Sequence, residues 1–400
     1  MPGNVSRMPR SFWVSILILA LLVPGVGSAA PPARFHPKAA SQAAPCAPAP
    51  RSPRVVNVRE GAAAARGDGL ADDTAALQRA VEAVAGTGGT VRVPRGTYLV
   101  DALVSVRLGS DMTFAMDLGA VLKAIPNGSA HSSILRASGV DRVSITGGTL
   151  LGERAAHTGQ GGEWGHGLTI SRSRRVVVSG VTARECWGDG FYVASSEDVT
   201  FCGVTADHNR RQGLSITSGR RVVVRDSTFK NTSGTLPEDG LDIEPNRGDT
   251  VDQVLITGCT FQDNGGFGLE IGVPRAHAGQ AWITRVTVEG NTSTGNGLRT
   301  LSSSPRAGIQ VGNCPEVRIA DNRVAGNGLG ILLRYGADRC TVTGNTVTGN
   351  AGEGILQYLC KGNLIRGNTV TGNRGRGIHS PDSSVEGVSD NRESGNGPGR

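Results

Sequence analysis

Apolar residues along this chain return in short glycine-led runs. They read Gly167-Leu168-Thr169-Ile170, Gly190-Phe191-Tyr192-Val193, Gly213-Leu214-Ser215-Ile216, Gly240-Leu241-Asp242-Ile243 and Gly268-Leu269-Glu270-Ile271, then Gly308-Ile309-Gln310-Val311, Gly330-Ile331-Leu332-Leu333, Gly354-Ile355-Leu356-Gln357 and Gly377-Ile378-His379. Most of these runs begin roughly 23 residues apart, a period in the range of stacked-repeat proteins. The widest gap falls between Gly268 and Gly308. Positions one and three after the glycine are Leu, Ile, Val or Phe in nearly every run, with a polar residue between, which is the alternation of a strand buried on one face. A unit this short cannot bury its own apolar side. It must stack on its neighbours.

From about residue 110 each repeat holds three strand-like pieces, as in Arg221-Val222-Val223-Val224, Ser227-Thr228-Phe229 and Gly240-Leu241-Asp242-Ile243. The turn between the first two carries Asn291, Asn322, Asn345 and Asn368. A second series lies slightly further on, at Asn296, Asn327, Asn350 and Asn373, with Asn209 and Asn264 in earlier repeats. Asparagine tolerates turn conformations, and its amide bonds to an identical amide one rung away, so these residues are expected to be structural. Three strands and two asparagine registers per turn predict an all-β fold, a single-stranded right-handed parallel β-helix (solenoid).

Residues 54–100 read differently, as an N-terminal cap. Val55-Val56-Asn57-Val58 is strand, Gly67-Asp68-Gly69 a loop, and Asp72 or Asp73 caps a helix with Leu77, Ala80, Val81 and Val84 on one face. Gly86 to Gly89 ends it, and Val91–Val93 and Thr97–Val100 resume strand. Such a helix covers the open end of a stacked sheet. This cap, with Asp72-Asp73-Thr74-Ala75-Ala76-Leu77-Gln78, Gly88-Gly89-Thr90-Val91 and Pro94-Arg95-Gly96-Thr97-Tyr98, is similar to the one shared by pectate-lyase-like, polygalacturonase-related and mannuronan C5-epimerase proteins. The chain after the linker resembles the pectin-lyase-like superfamily. That resemblance implies the fold and a polysaccharide partner but no single reaction, because one scaffold hosts several chemistries.

Residues 1–30 read as a secretory signal: Arg7 and Arg10, an apolar run from Phe12 to Val23, then Gly27-Ser28-Ala29-Ala30. The run is too short for a membrane span. Residues 31–53, rich in Ala and Pro, read as a linker, leaving 54–400 for the β-helix domain. The expected location is secreted, with no stable membrane span after signal removal. The formal charge of +7 falls to about +3 without residues 1–44, a weak pointer to an acidic partner and no case for nucleic acid. Seven cysteines fit no zinc spacing; they are read as buried stack residues, with Cys340 and Cys360 near adjacent rungs.

Alternation turns the residue two after each glycine outward, giving the column Thr169, Tyr192, Ser215, Asp242, Glu270, Gln310, Leu332, Leu356, His379; the residue before it gives His166, Asp189, Gln212, Asp239, Phe267. Acidic and polar side chains crowd the rungs between 166 and 270, and leucines take the exposed position afterwards. Glu238-Asp239-Gly240-Leu241-Asp242-Ile243-Glu244 holds four carboxylates, which raise each other's pKa. Asp242 and Glu244 are expected about 6.6 Å apart on the outer face, Glu270 about 4.8 Å from Asp242 at the backbone, and Asp189 about 10 Å from the 240 rung. Glycosidases hold two carboxyl groups about 5 Å or about 6.5–9.5 Å apart, and this set offers both. Ion pairs with Arg210, Arg211 and Arg247 are the non-catalytic alternative.

The expected activity is therefore glycosidic-bond cleavage in a polysaccharide. Asp242 and Glu270 form the first pair, Asp189, Asp239 and Glu244 are alternates, and His166 is a general acid/base or a turn residue. Arg211, Gln212, Trp187, Tyr192 and Arg275 are expected to hold substrate. No cofactor is required. The alternative is a uronate lyase or C5-epimerase in which Asp242, Glu244 and Glu270 offer hard oxygens to Ca2+; lysine is scarce, so Arg211 or Arg275 would act as base. Glu238-Asp239-Gly240-Leu241-Asp242 is similar to the polygalacturonase strand beginning Asn-Thr-Asp-Gly, which implies a catalytic role for Asp239, and Gly165-His166-Gly167 to that family's Gly-His-Gly. Here Gly266-Phe267 replaces the paired Asp, and His166 precedes the acidic strand. Asp242-Ile243-Glu244-Pro245 echoes the epimerases' Asp-Pro-His without the His. A non-catalytic glycan-binding or cell-surface solenoid is the third reading.

Overall fold

The computed structural model describes residue 46 and residues 51–61, 64–382 and 387–398. The expected leader, and most of the expected linker, lie outside these. The described chain winds as a right-handed parallel β-helix. Each coil gives one strand to each of three sheets, except the first and last described coils, which give none to the third, and every strand pairs in parallel with the strand one coil away; the sheets hold 13, 13 and 11 strands. The glycine-led runs make up the third sheet.

Register follows the inward apolar positions. In the first sheet Val176, Val199, Val222 and Val254 stand side by side. Ala183, Ala206, Phe229 and Phe261 do so in the second, and Leu168, Phe191, Leu214, Leu241, Leu269 and Ile309 in the third. All are buried and together form one continuous apolar column. Each Val, Leu, Ile or Phe among them contributes roughly 1.5–3 kcal/mol, so slipping one coil's register by a residue would turn its whole apolar set toward water.

The asparagines stack in two files as expected, except Asn209, which Thr232 separates from Asn264. Asn291, Asn322, Asn345, Asn368 and Asn391 form one, and Asn264, Asn296, Asn327, Asn350, Asn373 and Asn396 the other. Each side-chain carbonyl accepts both the backbone N–H and the side-chain N–H of the preceding asparagine, at 2.8–3.1 Å. The turns thereby satisfy backbone donors that no sheet reaches.

The cap helix spans Thr74–Val84 and buries Leu77, Ala80, Val81 and Val84. Asp73 occupies the N-cap position but makes no capping bond; its carboxylate accepts from the backbone N–H groups of Arg66 and Gly67, at 2.6 and 2.9 Å. Asp72 bonds Thr74 instead. The expected loop at Asp68-Gly69 is the start of a strand, Asp68–Asp72, paired with the next coil.

Two expectations are corrected. Cys46 is not a buried stack residue but is half-buried and disulfide-bonded to Cys202; Cys186, Cys259, Cys314, Cys340 and Cys360 are buried, and burial raises all five thiol pKa values. Leu332, expected at the surface, is buried with Phe267, Ala307 and Leu329 in a small apolar cluster on the outer face of the third sheet. The wide gap between Gly268 and Gly308 carries a longer connection there, whose Arg306 lies 4.6 Å from the Phe267 ring.

Candidate functional site

The outward column is in register rung by rung. Arg136 stands beside Thr169, and Tyr192, Ser215, Asp242, Glu270, Gln310, Leu332, Leu356 and His379 follow in turn. Asp189, Gln212 and Asp239 pair across three coils in the same way. Parallel stacking thus brings acids from successive coils together: ligand-type oxygens of Asp239, Asp242 and Glu270 all lie within 4.8 Å of one another.

The column was expected to face solvent. It points outward, but its centre is covered: Asp239 is 0 % and Asp242 3 % exposed. Asp239 Oδ1 accepts the Phe267 N–H at 2.6 Å. Asp242 Oδ2 accepts from the Gln212 side-chain amide, whose own carbonyl oxygen contacts Arg211 and Ser215. The other oxygens, Asp239 Oδ2 and Asp242 Oδ1, are buried without a hydrogen-bond partner. Glu238 leaves the group, accepting from Gly234 and Leu301 backbone N–H at 2.8 and 2.9 Å, and so pins the long connection beside the acids.

A polar chain runs from this cluster to earlier coils. Ser215 donates to Asp189 at 2.7 Å, and Arg211 reaches Asp189 at 3.4 Å and Glu163 at 3.1 Å. Asp189 is fully buried, with His166 Nδ1 3.7 Å away. Burial lowers the His166 pKa to about 4, against the pull of Asp189, so the ring is neutral at ordinary pH. It stacks on Tyr192 at 4.9 Å. Burial also disfavours the Arg211 charge, but Asp189, Asp242, Glu163 and Glu244 outweigh it. Gln212, expected to touch substrate, is fully buried and instead positions Asp242. Trp187, expected to stack on a sugar, has its ring surface occupied: His157 stacks at 3.8 Å and the Arg210 guanidinium lies 3.9 Å from the ring. Arg210 and Arg247 do not pair with the acidic strand; Arg247 bonds Gln280.

The accessible edge is on the other side. Glu244 and Glu270 open into a cavity of about 260 Å3 that also takes in Arg275, Gln310, Arg334 and Tyr335. Glycines make this space. One residue past the Ile243–Ile271 pair, the next coils carry Gly272 beside Gly312, and Gly312 beside Arg334. A Cβ on Gly272 would crowd the Gly312 carbonyl at 3.2 Å and come within 3.6 Å of Gln310 Nε2 and 3.9 Å of Glu270 Oε1. Arg334 donates to Gln310 at 2.7 Å and lies 3.9 Å from Glu270 Oε1. Arg334 and Tyr335 were missed by the sequence reading. The column four after the glycine would have exposed Arg334: Glu244, Gly272, Gly312, Arg334, Tyr358 is a notch of two glycines between an acid and a base.

Burial, then Glu270 and Asp242, pushes the Asp239 carboxyl well above the usual range; burial, then Glu244 and Glu270, does the same to Asp242. Glu244 is raised by burial and Glu270, with Arg211 and His277 opposing. An acid whose folded pKa is raised favours the fold while protonated, and that contribution is lost as pH climbs from the unfolded value, about 4, toward the folded one. Asp242→Asn keeps the shape without the proton. Its melting temperature is therefore expected to gain on the wild type steadily between pH 4 and 8. Parallel melting curves over that range would show Asp242 to be stably ionised.

A parallel β-helix with stacked carboxylates on its third sheet defines a pectin-lyase-like protein. A family model described as rhamnogalacturonase A/epimerase, pectate lyase-like matches residues 55–320, and the chain belongs to that family. A second model, periplasmic copper-binding protein (NosD), matches residues 273–400. The uncharacterized protein YclG of Bacillus subtilis (strain 168) is 26% identical over 209 residues, 44% of this chain and 36% of its own, so the chain spans little more than a third of that relative. Among solved structures, the mannuronan C-5 epimerase AlgE4 A-module of Azotobacter vinelandii matches at TM-score 0.58 and 20% identity, over 86% of this chain and 99% of that one. The exopolygalacturonase of Thermotoga maritima matches at TM-score 0.60 and 16% identity, over 84% and 89%. At these identities the likeness is one of fold.

Proposed function

We propose that this protein is an exported glycoside hydrolase that cleaves an acidic polysaccharide at the Glu244–Glu270 edge of the carboxylate cluster. The supporting observation is that of the four clustered acids these two reach the glycine-floored cavity, while Asp239 and Asp242 lie beneath. Glu244, its pKa raised, holds the proton that the leaving glycosidic oxygen needs; Glu270 serves as nucleophile or as base toward water. Asp242 thus moves from the first catalytic pair to a supporting role behind Glu270. Arg275 and Arg334 supply fixed positive charge for a sugar carboxylate. The Cys46–Cys202 disulfide and the leader-like N-terminus support a location outside the cytoplasm. No helix among the described residues is long and apolar enough to cross a membrane.

The second reading, a calcium-assisted uronate lyase or epimerase, is favoured by the two partnerless oxygens, Asp239 Oδ2 and Asp242 Oδ1. Asp239, Asp242 and Glu270, with Glu244 alongside, are hard oxygen donors that fit Ca2+, which when bound would neutralise a uronate carboxylate. One experiment separates hydrolysis from elimination. Incubation with neutral and acidic glycans is expected to release new reducing ends, unchanged by EDTA, with no unsaturated product. Ultraviolet-absorbing product that disappears with EDTA, together with a melting temperature raised by millimolar Ca2+, would replace hydrolysis by elimination.

A further inference from the structure

Trp164 and His131 form an exposed aromatic surface on the third sheet, and neither takes part in the carboxylate cluster. They stand opposite each other on adjacent coils, with rings parallel to within 4° and centroids 4.6 Å apart. Trp164 is 45 % exposed although its neighbours in the same strand are buried. Alternation puts Trp164 on the face of His166, two residues on. A large flat apolar surface held rigid by stacking costs little entropy to use, and it is this stacked pair, not exposure alone, that sets Trp164 apart.

We infer that the Trp164–His131 stack is a platform for a pyranose ring of the same polysaccharide, several sugar residues away from the cleavage point. This rests on the proposed polysaccharide activity and adds a binding site to it. Continuity supports the occupant. Glu163, next to Trp164, accepts from Arg211; the two side chains are 44 % and 18 % exposed, and Glu244 at the cavity edge attracts the Arg211 charge, so a polar path runs from platform to cavity. Four coils separate Trp164 from Glu270, about 19 Å along the axis at the usual strand spacing. A glycan laid across the coils from platform to cavity spans that distance. Trp187 cannot serve in its place because its ring is already covered.

Trp282 supplies the control. It is 52 % exposed but begins a strand of the first sheet, away from the acids. Affinity gel electrophoresis of the full chain in soluble polygalacturonate, alginate and a neutral glucan is expected to show wild type and Trp282→Ala retarded alike by one of them. Trp164→Ala should bind that glycan roughly three- to tenfold more weakly, with an unchanged melting temperature, and Trp164→Phe should keep most of the affinity. Equal retardation of Trp164→Ala and wild type would overturn the platform and leave the proposed activity standing. No retardation of the wild type by any of the three would overturn both. A wild-type dimer that Trp164→Ala splits on gel filtration would assign the surface to self-association and overturn the platform.

Discussion

Glu270→Gln is expected to lower turnover of the polysaccharide by roughly two to four orders of magnitude, the usual contribution of a group that transfers a proton or attacks in the transition state. The side chain is the member of the Asp239–Asp242–Glu270 group that reaches the cavity, and glutamine preserves its volume and its contact distance from Arg334. The fold should be unaffected or slightly stabilised, because the substitution removes one of the charges that raise the pKa values of Asp239, Asp242 and Glu244. Release of reducing ends and a thermal melt read both effects on one preparation. Activity above a tenth of wild type would remove Glu270 from the chemistry. Loss of activity with an equal loss of structure would make it a stability residue.

Asn345→Leu is expected to cost about 3–6 kcal/mol, among the largest effects available in this fold. Asn345 is fully buried. Its carbonyl accepts the backbone and side-chain N–H of Asn322, and its amide donates to Ile319, Thr343 and Asn368. Leucine fills much the same space but leaves at least two donors of Asn322 without acceptors, each costing about 1–3 kcal/mol when buried. A solenoid is held by nearest-neighbour interfaces, so the damage falls on the two adjacent coils. Asn391→Leu, at the partly buried end of the same file, should cost markedly less, and urea unfolding of the pair measures the difference. Equal, small losses would show that the ladder only fills space.

The site was partly legible along the chain. The glycine-led column placed Asp242 beside Glu270 correctly, because parallel strands in register leave no freedom in which residues meet. Its exposure was not legible. Alternation says which way a side chain points, and nothing about what covers it; Gln212 and Arg211, side by side at the start of the preceding strand, close over Asp242. The same holds for Trp187, whose ring is occupied by His157 from the connection before it and by Arg210 from the coil after it. The cavity was missed because it is made by absent side chains, Gly272 and Gly312, in a column that carries no periodic apolar signal.

What the sequence determined alone is the coil: a short regular spacing, period-two polarity and paired asparagines admit one way to bury the apolar positions and satisfy the turns together. What only the tertiary structure decided is which acids meet the outside. That depends on connections of irregular length, the 273–281 and 295–306 segments among them, whose paths are set by single contacts such as Glu238 to Leu301 rather than by any repeating pattern. Local periodicity encodes stacking because every coil repeats the same constraint. Access to a site is encoded once, in the places where the repeat is broken.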